Sequence, residues 1–301
     1  MHSAARYIDP VADVQIPRDR FVESNRLRLH MLEWGAAGPT VLLLHGFLEH
    51  AHTWDLVAPS LAEAGFRVLA LDWRGHGDSE RIGRGGYYHF ADYVADLAGL
   101  TRALRTSVTL VGHSMGANAA LLYAGTEPTR VTALVCVDSL GPPDADPSLT
   151  TLRYAQWISD LERVSRTVRR GTTVEAAVAR LQERFPRFSL EVARHLVLHG
   201  TIADGATRAW KFDPRHQTAS PQPYYARQAT AFWEAVRCPS LLVEGGQSPF
   251  RLAEAEIAER VRAIGAERVT VADAGHHPHL ERPREFCEVL IPFLRRNACT
   301  D

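Results

Sequence analysis

Val108-Thr109-Leu110-Val111-Gly112-His113-Ser114-Met115-Gly116 runs from an apolar strand directly into the start of a helix. A serine at so sharp a strand-to-helix turn is held in a strained backbone conformation. Small residues two before and two after it relieve the crowding between strand and helix, and Gly112 and Gly116 occupy those places. The turn aims the Ser114 hydroxyl outward. It also puts the Met115 N–H at a helix N-terminus, where partial positive charge favours a developing oxyanion. Ser114 is therefore the expected nucleophile and Met115 one expected oxyanion donor.

Outward from this turn, short β-rich runs alternate with helical periodicity, the pattern of a mostly parallel sheet flanked by helices in an α/β fold. Arg20 to Trp34 reads as a hairpin turning at Ser24 and Asn25. Thr40 to His45, Val68 to Asp72, Val108 to Gly112 and Val131 to Asp138 read as strands, and Trp54 to Ala64 and Phe90 to Leu104 as helices. The second helix sets Phe90, Tyr93, Val94, Leu97, Leu100 and Leu104 on one face, which should pack on the sheet. From Gly141 the alternation stops at Gly-Pro-Pro and an Asp/Pro-rich stretch. The chain to about Ala235 then reads as helical without strand signals, with helices over Leu149 to Arg169, Val174 to Arg184 and Leu190 to His199 and an irregular connection over Trp210 to Pro214. Strand and helix resume at Ser240 to Glu244, Leu252 to Ile264, Val269 to Val271 and Arg284 to Arg295. The expected organisation is a core over 1–140, an inserted helical segment over 141–235 and a second core part over 236–301.

Composition narrows the classes of function. A chain of 301 residues suits one catalytic core with an insertion. No apolar run approaches the ~18 residues of a membrane span, and Met1 to Val14 lacks the apolar stretch of a secretory signal, so a cytoplasmic location is expected. With a net charge of −1 and no long Arg cluster, nothing reads as a nucleic-acid footprint, and a small-molecule partner is expected. Cys136, Cys238, Cys287 and Cys299 lie far apart without a CxxC, indicating neither a zinc site nor a disulfide framework. No cofactor and no metal are expected, and the oligomeric state is open.

Two loops complete the expected chemistry. His45-Gly46-Phe47-Leu48 directly follows the strand from Thr40, where a second oxyanion donor belongs; the Phe47 N–H is the candidate, with His45 ordering the loop. Two such donors bind a carbonyl oxygen more tightly once it becomes tetrahedral and negative. The loop Asp273 to Pro283 follows the last strand and carries His276, His277 and His279. A general base must reach the serine from the C-terminal edge of the sheet, and the residue after Gly275 is nearest the strand end, so His276 is preferred. His277 and His279 remain as loop-packing or pocket-wall residues, or as alternative bases.

These features together resemble the capped α/β-hydrolases of the serine-hydrolase-like group. The matching elements are His45-Gly46-Phe47, Asp72 to Ser79, Gly112 to Gly116, Asp138 followed by Gly141-Pro142-Pro143, and Gly275-His276 through Pro283, nearly the whole length of the chain. The resemblance implies an α/β-hydrolase fold with a helical cap over the active site, matching 141–235, and a Ser, acid, His order along the chain. It also exposes a departure. Many relatives place the acid a few residues after the strand corresponding to Ser240 to Glu244, but Gly245-Gly246-Gln247-Ser248-Pro249 has no carboxylate. Other relatives place it at the end of the strand corresponding to Val131 to Asp138, which moves the acid role to Asp138. Glu244 is the next candidate, and Asp138 as a mere cap on the way into the inserted segment is the alternative. Cap aromatics Trp157, Trp210, Phe212, Tyr224, Tyr225, Phe232 and Trp233 offer surface for an apolar acyl or alcohol group, while Trp54 reads as core. The resemblance implies an ester hydrolase working through an acyl-enzyme. A carbon-carbon hydrolase or lactonase shares the same core, and a ligand receptor without turnover is a third possibility.

Overall fold

The computed structural model of the protein describes residues 16–166 and 171–298. Met1 to Val14, Cys299 and the last three residues of the helix expected over Leu149 to Arg169 lie outside them. Strands β1 (Arg18–Ser24), β2 (Leu27–Trp34), β3 (Thr40–Leu44), β4 (Arg67–Leu71), β5 (Val108–His113) and β6 (Val131–Val137) precede the inserted segment. That segment contains β7 (Thr201–Asp204) and β8 (Thr207–Trp210), and β9 (Ser240–Gly245) and β10 (Glu267–Val271) follow it. One sheet runs β1-β2-β4-β3-β5-β6-β9-β10. Only the β1–β2 and β2–β4 pairings are antiparallel.

Side chains of a strand alternate between faces, and both faces of the sheet centre are covered, so the central parallel strands are mostly apolar, whereas the edge strand β10 is partly exposed and carries Glu267, Arg268 and Thr270. Leu42, Leu110, Leu134 and Leu242 face α2 (Phe90–Leu104), α3 (Met115–Thr126) and α8 (Glu254–Ile264). Their neighbours Val41, Val111, Val135 and Val243 face α1 (Ala58–Glu63) and α10 (Pro283–Asn297), with Trp54 and Phe286 fully buried among them. Truncating one of these leucines to alanine costs ~2–5 kcal/mol. β3 and β5 lie side by side although β4 intervenes in sequence, with Leu43 opposite Val111. Ligand sites of such sheets form beyond the strand C-termini where the order reverses. The ends of β3, β5, β6 and β9 therefore converge on one place.

Between β6 and β9 the chain forms α4 (Thr150–Arg166), α5 (Val174–Arg184), α6 (Leu190–Gly200) and α7 (Ala226–Trp233). The expectation of a strand-free insertion is corrected by β7 and β8, an antiparallel pair joined by Gly205-Ala206. Gly205 sits at φ +59°, the conformation a glycine-first tight hairpin needs. The strands escape pattern reading because they are short and mostly exposed, with no apolar alternation. Three boundaries also shift. The first hairpin turns at Asn25-Arg26, both at positive φ; the helix expected from Trp54 begins at Ala58; and Trp210 belongs to β8. A short helix α9 (Pro278–Glu281) precedes α10. Among the described residues no helix is long and apolar enough to cross a membrane.

Candidate active site

At the end of β5, Ser114 adopts φ +50° and ψ −112°, a region L-residues rarely occupy, and its N–H donates to Val137 O at 3.0 Å. The flanking glycines are required sterically. A Cβ on Gly112 would stand 2.5 Å from Ala117 N, and one on Gly116 would stand 2.4 Å from Leu44 O. Met115 begins α3, and neither its N–H nor that of Phe47 finds an acceptor among the described residues. Both residues line the same open cleft as Ser114.

Asp138 follows β6 at φ +51°, and its own N–H donates to Val243 O at 2.8 Å. Its carboxylate collects three donors. Oδ1 accepts from Gly245 N–H at 2.8 Å, while Oδ2 accepts from Ser248 Oγ and lies 2.7 Å from His276 Nδ1. With Nδ1 donating to Asp138, the lone pair of Nε2 is left free to take a proton. His276 lines the cleft with Ser114, although no hydrogen bond joins their side chains in this conformation. Such bonds are often long before substrate binds. Glu244, the alternative acid, pairs instead with Arg268 and has no bond to His276.

Two groups of residues eluded sequence reading. Ser248, passed over because it cannot be an anion, donates to Asp138 and helps hold it. Glu49, three residues after Gly46, is the hub of a polar network at the site. It accepts from Gly46 N–H at 2.8 Å, and its carboxylate lies 3.3 Å from His113 Nδ1 and 3.0 Å from His277 Nε2. His113 Nε2 in turn donates to His276 O at 2.8 Å. One carboxylate thus ties together the Phe47 loop, the residue before Ser114 and the residue after His276. Burial alone would raise the Glu49 carboxyl, but His113 and His277 hold it well below the usual carboxylate range. His113 is raised despite burial, chiefly by Glu49, whereas burial pushes His277 down to about 4. Both His113 nitrogens face acceptor oxygens, in keeping with a raised His113 paired with a lowered Glu49. The signal available in sequence was only a Glu three residues after Gly46.

Of the other histidines, His45 accepts from Trp73 N–H at 3.1 Å and orders its loop as expected, and His279 stacks on Trp54 at 4.3 Å. The cleft has a volume of about 1140 Å³ and draws its walls from both the core and the inserted segment. Of the seven aromatics singled out, Tyr224, Tyr225, Phe232 and Trp233 line it, but Trp157, Trp210 and Phe212 do not. The polar residues at the strand ends, the cleft above them and the sheet order match one known architecture: the alpha/beta hydrolase fold family model covers residues 39–283.

The chain belongs to the alpha/beta hydrolase fold family. A serine hydrolase-like protein of Danio rerio is 34% identical over 273 residues, covering 87% of this chain and 83% of that one. An epoxide hydrolase, named epoxide hydrolase A, of Mycobacterium tuberculosis is 42% identical over 135 residues, spanning 43% of this hydrolase-family chain and 41% of its own length. Among solved structures, a hypothetical protein of Pseudomonas aeruginosa superposes with a TM-score of 0.84 at 26% identity, covering 92% of this chain and 99% of that one.

Proposed function

We propose that this alpha/beta hydrolase family member is a serine hydrolase that cleaves an ester-like bond of a small, largely apolar substrate through an acyl-enzyme. The observation that carries the reading is the Asp138–His276 contact of 2.7 Å, formed on the wall of the cleft that Ser114 lines. In the proposed cycle His276 Nε2 takes the Ser114 proton as the hydroxyl oxygen attacks the carbonyl carbon. The resulting oxyanion is held by the Phe47 and Met115 amides, and His276 then protonates the leaving group. Water, deprotonated by the same imidazole, releases the acid and restores Ser114. Asp138 fixes the tautomer and offsets the imidazolium charge.

The inserted segment 141–235 is proposed to act as a cap, since Pro142, Tyr224 and Phe232 share the cleft with Ser114. The similarity to epoxide hydrolase A does not extend the proposal to epoxides, because the residue at the elbow is Ser114 rather than a carboxylate nucleophile. Lactone or carbon-carbon cleavage uses the same residues and is the competing reading within enzymes. A specific observation favours a carboxylate-bearing acyl group as a variant: Arg153 and Arg184 line the cleft and form no ion pair with the described residues. Turnover of p-nitrophenyl butyrate, with no turnover by Ser114→Ala, tests the core proposal. Ligand binding without turnover would instead favour a receptor.

A further inference from the structure

Beside the active-site cleft, four side chains with metal-ligating atoms meet where the inserted segment touches the core. His52 lies within the 3-10 turn Ala51–Trp54, which follows the Phe47 loop, and Asp55 directly follows that turn. His195 and His199 stand one helical turn apart on α6, so they share a face. One ligand atom from each of the four lies within 4.8 Å of every other. The imidazole ring centroids are 3.7 Å apart for His52 and His199 and 4.6 Å apart for His195 and His199.

Their hydrogen bonding is incomplete. His52 Nδ1 meets Asp55 Oδ2 at 2.8 Å, but His195 Nε2 approaches the same oxygen to 3.0 Å without the alignment of a hydrogen bond. Asp55 Oδ1 is buried and without a partner. Of the two other clusters of ligating residues, the His30 ring beside Asp72 spends both nitrogens on Asp72 and Asp19. In the Glu49–His113–His279 group the His113 ring spends both on Glu49 and His276 O, while both His279 nitrogens are buried without a partner; that group offers only two imidazoles and one carboxylate, against the three imidazoles and one carboxylate here.

We propose that His52, Asp55, His195 and His199 form a four-ligand site for a divalent transition cation of the Zn²⁺ class, clamping α6 to the turn after the Phe47 loop. Three imidazoles and one carboxylate suit Zn²⁺, Co²⁺ or Ni²⁺ rather than Mg²⁺ or Ca²⁺, which take oxygen donors. Bonds of 2.0–2.1 Å in a tetrahedron set ligand atoms roughly 3.4 Å apart, so side-chain rotations that draw the more distant donors closer by up to about 1.4 Å complete the shell. Four protein ligands leave no open position, and none of the four residues lines the cleft, so the ion is structural and not part of the reaction at Ser114. It would fix the inserted segment against the core next to one of the proposed oxyanion donors.

The test uses the full chain, stripped with a chelator and titrated with Zn²⁺ against a chromophoric competitor, and then with Co²⁺. One Zn²⁺ per chain should bind with a micromolar or lower Kd. Co²⁺ should give the intense visible bands of a four-coordinate site, and the Tm should rise with added Zn²⁺. Substituting groups that merely orient ligands already weakens metal binding ~10–100-fold, so loss of a ligand in His199→Gln or His195→Gln should weaken it at least about 100-fold. His199→Gln removes no hydrogen bond and is the variant least able to disturb the fold. Crystals soaked in Zn²⁺ should show an anomalous peak between α6 and the 3-10 turn. Absence of saturable binding, unchanged affinity in both variants, or a peak elsewhere overturns the proposal. None of these readouts depends on catalytic turnover.

Discussion

Replacing Asp138 by asparagine keeps the shape of the side chain and removes its charge, and the donors around it set the cost of the exchange. Three of them converge on the carboxylate: the Gly245 N–H on Oδ1, and Ser248 Oγ and His276 Nδ1 on Oδ2. An amide can accept on only one side. If its oxygen keeps the buried Gly245 N–H, its NH₂ group faces His276 Nδ1, and the imidazole must turn its lone pair there and carry its proton on Nε2. That tautomer cannot take a proton from Ser114. If the amide flips, His276 keeps the productive tautomer, but the NH₂ group opposes the Gly245 N–H and leaves a buried donor unsatisfied, at a cost of ~1–3 kcal/mol. The unproductive arrangement is then favoured by roughly 5- to 150-fold, and the productive minority still lacks an anion beside the imidazolium. The same change in serine proteases lowers kcat by ~10⁴; here a loss of at least ~10² is expected. Asparagine tolerates the left-handed φ of +51° at this position, so the Tm should change little. The assay is kcat for p-nitrophenyl butyrate, normalised to sites titrated with a fluorophosphonate. If Asp138→Asn kept more than half of the wild-type kcat while Glu244→Gln abolished it, the acid would be Glu244 and the reasoning would fail.

Fluorophosphonate should label Ser114 and no other serine, as read by mass spectrometry; labelling that persists in Ser114→Ala refutes the assignment. Glu49→Gln removes the carboxylate charge that raises His113 while keeping an acceptor for Gly46, so kcat should fall at least ~10-fold by loosening the Phe47 loop and the His276 backbone, with charge-assisted bonds worth ~1.5–3 kcal/mol at stake. Wild-type kinetics in a folded Glu49→Gln protein would reduce the network to packing. Burial pushes His216 from 6.5 to about 4, so between those values the unfolded chain binds more protons there and stability rises with pH. Denaturant unfolding from pH 4 to 6.5 should therefore show a slope shallower by up to ~1.4 kcal/mol per pH unit in His216→Gln, and an unchanged slope contradicts it. A p-nitrophenyl hemisuccinate that is turned over no better than the butyrate, and no worse after Arg153→Ala, would remove the carboxylate variant of the substrate reading.

The turn from Val108 to Gly116 was legible in sequence because its constraint is local. A serine at a sharp strand-to-helix junction needs small neighbours at fixed offsets, and the 2.5 Å and 2.4 Å clearances at Gly112 and Gly116 are that constraint in space. The central parallel strands were legible because burial on both faces forces largely apolar runs, and helices α2 and α5 kept their expected bounds because a single apolar stripe marks them. The place of Asp138 beside His276 could only be expected from resemblance, since the two follow β6 and β10 and are brought together by the sheet order β6-β9-β10, whose first pairing joins strands far apart in sequence. Pairing between distant strands leaves no periodic trace, so the bond from Ser248 to Asp138, the four contacts made by Glu49 and His113, and the meeting of His52 and Asp55 with His195 and His199 were decided by tertiary structure alone. The hairpin β7–β8 belongs with these: its strands are too short and too exposed to carry an apolar pattern, and they are fixed by pairing with each other.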